Sequence, residues 1–109
     1  MPTIYKVLGQ SNPTAATPTS LYTVPASNSA VISTVSATNL TGTGATFRIA
    51  VRPGGAALAN SHYIAYDTAL PPNDSIALTL GITVGNTDVI TVQANTSSVS
   101  FVAFGTEIY

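Results

Sequence analysis

Turn-forming clusters of Gly, Pro, Asn and Ser interrupt this chain about every eight to twelve residues, and nothing between them sustains a helical period. The intervening stretches are dominated by Val, Ile and Thr, whose branched side chains suit a pleated, half-buried surface. That spacing leaves no room for long helices and implies an all-β domain of short strands. Residues 4–8, 21–24, 30–38, 45–52, 62–66, 75–82, 87–94 and 99–104 are the eight strand candidates. Two of them alternate clearly. Phe47, Ile49 and Val51 fall on one face of the fourth, with Thr46, Arg48, Ala50 and Arg52 on the other. Ile76, Leu78, Leu80 and Ile82 share one face of the sixth. Pro53-Gly54-Gly55 and Pro71-Pro72-Asn73-Asp74 are stop signals. Residues 56–61 have room for one helical turn, and residues 105–109 extend the last strand beyond a bulge.

Strands with one apolar face must pack sheet on sheet. The expected architecture is a two-sheet antiparallel β-sandwich of about eight strands, jelly-roll or immunoglobulin-like, with a closed small barrel as the alternative. Strand order is not legible in the pattern. At 109 residues the chain makes one domain, 1–109. Within it, residues 11–20 hold Pro13 and Pro18 among Ala and Thr and read as an extended arm or loop. Such a segment either lies on a neighbouring subunit or crosses an end of the sandwich.

Composition then narrows the function. Charged residues make up 6% of the chain, against about 25% in ordinary soluble domains. With a net charge of −1 there is little repulsion between copies, which favours association. Three basic residues give no electrostatic footprint for nucleic acid. Cysteine is absent and His62 is the single histidine, so thiolate and multi-histidine metal sites are excluded within one chain. No Gly-rich phosphate loop precedes a lysine-bearing helix, and no cofactor is expected. No apolar run approaches the roughly 20 residues that span a bilayer, so no membrane partner is expected. Residues 1–6 lack the layout of a signal peptide, which points to synthesis and assembly in the cytoplasm.

Few side chains offer chemistry. His62 and Asp67 bracket the fifth strand candidate, roughly 16 Å apart if it is extended, with no G-x-S-x-G turn to frame a serine. The expectation is a strand histidine and no enzyme. Asp74 and Asp88 sit where a carboxylate binds backbone N–H groups of a turn. Arg48 and Arg52 share an outward face, where they serve either as interface cations or as solvated strand residues. Tyr109 is expected at the surface or an interface, and Phe101 in the core. Tyr22, Tyr63 and Tyr66 are expected to be exposed, but without a clustered aromatic platform.

Several stretches carry a resemblance. They are Leu21-Tyr22-Thr23-Val24-Pro25-Ala26 with Ala30-Val31-Ile32-Ser33-Thr34-Val35, and residues 45–55 continuing through His62-Tyr63-Ile64-Ala65-Tyr66-Asp67. Pro72-Asn73-Asp74-Ser75-Ile76, Leu78-Thr79-Leu80-Gly81-Ile82 and residues 100–108 complete the set. Over nearly the whole chain they resemble a family of small virion structural proteins of tailed bacteriophages, including phages of cyanobacteria. The resemblance implies a virion protein and supplies no catalytic residue. The expected role is a capsid decoration (cement) protein that binds the major capsid protein or other virion proteins, as a homo-oligomer with a trimer favoured. The contact residues would be Pro13, Pro18, Arg48, Arg52 and Tyr109. The alternative is a tail, fibre or baseplate domain that touches the host.

Overall fold

The computed structural model describes residues 2–109 apart from the side chain of Leu80. Met1 and the expectation that Leu80 faces inward therefore lie outside the described residues. Eight strands form: β1 (Thr3–Ser11), β2 (Thr19–Thr23), β3 (Ser29–Asn39), β4 (Ala45–Arg52), β5 (Tyr63–Leu70), β6 (Ser75–Val84), β7 (Val89–Ala94) and β8 (Val99–Ile108). Between β4 and β5 stand two short 3-10 turns, Pro53–Gly55 and Asn60–His62.

The pairing is nested. β4 pairs with β5, β3 with β6, β2 with β7 and β1 with β8, all antiparallel. This is one long hairpin whose ribbon then rolls up, so that β3 also meets β8 and β4 also meets β7. Rolling sorts the strands into two four-stranded sheets, sheet I in the order β1-β8-β3-β6 and sheet II in the order β2-β7-β4-β5. The result is a jelly roll, an all-β two-sheet sandwich. The immunoglobulin-like and closed-barrel arrangements are replaced by this order.

Apolar residues at alternate positions fill the space between the sheets. Ile32, Val35, Val99 and Phe101 come from sheet I, and Phe47, Ile49, Leu70, Ile90 and Val92 from sheet II. Phe47 and Phe101 meet across the layers edge-to-face at 6.2 Å, the arrangement aromatic pairs prefer. The expectation for Phe101 holds. The expected alternation of β4 holds for Phe47 and Ile49 inside and Arg48 and Arg52 outside, whereas Ala50, expected outward, is buried and Val51, expected inward, is half-buried.

A line of irregularities crosses sheet I, with register shifts at Val7/Gly9 on β1 and Ile32/Thr34 on β3. Glycines permit close approach there. A Cβ on Gly105 would overlap the carbonyl oxygen of Val31, and one on Gly9 that of Leu21. Gly9 thus does not close β1, as the sequence implied; it lets the strand run on to Ser11 beside β2. β8 runs on to Ile108 as expected, but without a bulge of its own: the extra residues are on β1 and β3.

Residues 12–18 carry the chain from sheet I to sheet II across one end of the sandwich. Pro13 is buried there, and Ala16 N–H donates to the Ala94 carbonyl at 2.7 Å. The Asn12 amide, turned to donate, reaches the carbonyls of Ser97 and Val99 at 2.7 and 2.9 Å. These contacts hold Asn12 and Ala16 against their own domain. At the same end buried Asn39 donates to the carbonyls of Thr43, Leu70 and Pro71 and accepts from Thr41 N–H. One amide therefore fastens the β3–β4 loop to the β5–β6 turn.

Candidate functional site

The two outer faces differ in kind. On sheet I the register turns Thr3, Tyr5 and Val7 of β1 outward beside Ile108, Thr106 and Phe104 of β8. Val102 and Ser100 continue that row, with Val31, Thr34, Ser36 and Thr38 on β3 and Ala77, Thr79 and Thr83 on β6. No charged side chain lies among these outward residues. Tyr5 is 83% exposed, Val7 47% and Phe104 40%, and a shallow depression beside the β1 edge is lined by Tyr5, Ser33, Phe104 and Thr106 together with Lys6, whose half-exposed side chain is paired with Glu107.

Sheet II carries its charge outward. Arg48 on β4 grips Asp67 on β5 through both carboxylate oxygens, at 2.7 and 3.2 Å. This pairing holds the Asp67 carboxyl below the usual carboxylate range and pushes the guanidinium up. The same guanidinium lies 4.0 Å from the centre of the Tyr66 ring, a cation–π contact. Tyr63 meets Tyr66 edge-to-face at 4.9 Å. The expectation of scattered tyrosines is corrected for this pair, and the reason is local. Tyr63 and Tyr66 are three apart and would face opposite sides of a regular strand. Register shifts on β5 between the partners of Phe47, Ile49 and Ala50, with Asp67 in the left-handed region at φ 49°, bring both rings together. Tyr22 is corrected in the other direction, since it is buried.

The remaining expected site residues are placed as follows. Arg52 donates from Nε to Thr91 Oγ1 at 3.0 Å and from Nη1 to the Ala56 carbonyl at 3.2 Å. Pro13 is buried within the domain and presents little surface to another subunit, whereas Pro18 is exposed. Tyr109 is 39% exposed and its hydroxyl donates to Glu107 at 3.4 Å. Arg48 and Arg52 therefore share a face without acting together, and Pro13, Pro18 and Tyr109 do not join them. His62 Nδ1 accepts from Ala59 N–H at 3.1 Å while Asp67 holds Arg48, so the two form no pair. Asp74 accepts from Ser75 N–H, and Asp88 from Gly54 and Gly85 N–H, as turn carboxylates should.

Glu107 is the residue that sequence reasoning missed. It is buried at 4% exposure between the sheets. Tyr22 O–H of sheet II donates to it at 2.6 Å, and the Lys6 ammonium stands 2.9 Å away. The Tyr22 and Lys6 bonds hold its carboxyl below the ordinary range, while burial with the carboxylate pushes the Tyr22 phenol up. Its position in β8 gave the signal: Phe101, Ala103 and Glu107 share one parity, so Glu107 faces inward. The arrangement joins both chain ends and both layers, and its chemistry is structural.

No protein-family model, curated protein or solved structure significantly matches the chain.

Proposed function

We propose that this chain is a structural subunit of a bacteriophage virion, a decoration protein that binds the assembled head and stabilises it. The observation that carries the reading is the charge-poor outer face of sheet I, where Lys6 is the one cation at the depression and is already paired with Glu107. A face of Thr, Ser, Val and aromatic side chains can be covered by a protein surface without stranding a charge, and desolvating charges is the costly part of burial. Exposed Tyr5, Val7 and Phe104, on the edge strand and its neighbour, supply aromatic and aliphatic anchors of the kind that dominate interfaces. Repetition on a symmetric shell turns modest contacts into avidity. The resemblance to small tailed-phage virion proteins supports the same reading, and the jelly roll, which also builds viral shells, agrees by analogy of fold alone.

The test is add-back. Purified protein is mixed with phage heads stripped of it, and sedimentation and thermal rupture of the heads are followed. Rebinding that raises the rupture temperature, and its loss in a Val7→Asp/Phe104→Asp variant that stays folded, is the expected result. Heads that neither bind nor gain stability contradict it. A tail or host-contact role is favoured by one other observation, the Arg48–Tyr66–Tyr63 cluster on the opposite sheet, and copy number per particle separates the two.

A further inference from the structure

The outer face of sheet II has the chemistry of a saccharide site. Two depressions lie near the Arg48–Asp67 pair, one lined by both residues and one by the tyrosine on which Arg48 rests. One, of about 380 Å³, is an open depression lined by Asn60, Tyr63 and Tyr66. The other, about 140 Å³, is lined by Thr46, Arg48, Asp67, Gln93 and Asn95 among others. Arg48 lies over the Tyr66 ring, yet Tyr66 remains 56% exposed, which leaves ring surface for a ligand to stack on. A sugar ring has an apolar face of C–H groups and an equatorial belt of hydroxyls. It needs an open aromatic face for the first and planar amide or carboxylate groups for the second. Tyr66 offers the ring, and Tyr63 packed against it fixes its orientation. Asp67 keeps free lone pairs after accepting from Arg48, and the side-chain amides of Asn60 and Gln93 make no hydrogen bond among the described residues.

We infer that the Asn60–Tyr63–Tyr66 depression, with Arg48 and Asp67 at its border, binds a neutral pyranose oligosaccharide stacked on Tyr66. The neutral class follows from the ion pair. Asp67 already cancels the charge of Arg48, so an anionic sugar gains little there and a hydroxyl gains both an acceptor and donors. The inference goes beyond the virion reading and does not depend on it. A particle that docks through sheet I would turn this face outward.

Nitrogen-15-labelled full-length protein titrated with maltotriose, cellotriose, chitotriose, mannotriose and 3′-sialyllactose tests it. Single-site affinity on the order of millimolar is expected for so shallow a site. Shifts should cluster at Asn60, Tyr63, Tyr66 and Asp67 with at least one neutral trisaccharide. Tyr66→Ala, at an exposed position that leaves the core intact, should weaken that binding at least tenfold. Tyr5→Ala on the other sheet should leave it unchanged. No shift with any neutral sugar, shifts located elsewhere, response to sialyllactose alone, or undiminished binding by Tyr66→Ala each overturns the inference. None of these outcomes bears on whether the chain is present in virions.

Discussion

A buried carboxylate in a chain with only seven charged side chains has to be held by its neighbours. Glu107 is held by Tyr22 across the sandwich and by Lys6 on the adjacent strand. Tyr22→Phe removes the 2.6 Å bond with little change of shape, and unfolding measurements should show a loss of about 1–2 kcal/mol. The pH dependence has a definite sign. Because the folded carboxyl lies below its ordinary value near 4.5, its contribution is complete above that pH and disappears as pH falls through the lower folded value. Melting temperature should therefore fall as the pH drops below 4.5, more steeply in the native protein than in Glu107→Gln. Asp67 has the same sign, but its pair with Arg48 is solvent-exposed and contributes little. Thr87 sits at φ 64° in the β6–β7 turn, a conformation that its branched side chain resists. Thr87→Gly should stabilise the protein by about 1 kcal/mol in the same assay.

Among the strands, nested pairing makes nearly every ladder except β4–β5 join residues distant in sequence. Such topologies fold late and slowly, and refolding on the order of milliseconds to seconds is expected by stopped-flow fluorescence of the tyrosines. Gly105→Ala places a methyl against the Val31 backbone and should cost about 1–3 kcal/mol. The elements themselves were legible where alternation is regular: the eight strand positions follow from apolar period and turn residues. What was not legible lies at the irregularities. Gly9 reads as a stop because a glycine that ends a strand and one that admits a neighbouring backbone look alike in sequence. β5 was expected at 62–66 and runs over Tyr63–Leu70, because the Asp67 bulge breaks the alternation without ending the pairing. The same break hid the Tyr63–Tyr66 pair, so the candidate saccharide face was invisible while the outward Arg48 was not. Strand order, finally, depends on how the ribbon rolls, which no single strand encodes.

For the molecule as a whole, the asymmetry between its faces is the main result. Both arginines, the exposed ion pair of Arg48 with Asp67 and the tyrosine cluster lie on the outer face of sheet II, and sheet I presents mainly hydroxyl and apolar groups, its Lys6 paired with the buried Glu107. Low overall charge already favours association; the fold concentrates that tendency on one surface. The account's central claim is that this surface binds the phage particle. Its most direct measurement is an electron cryo-microscopy reconstruction of the virion to which the proposed function assigns the chain. The account predicts hundreds of copies on the head, with Tyr5, Val7 and Phe104 turned toward the coat and Tyr66 toward solvent. Particles without the chain, or copies attached with the sheet I face open to water, would contradict it.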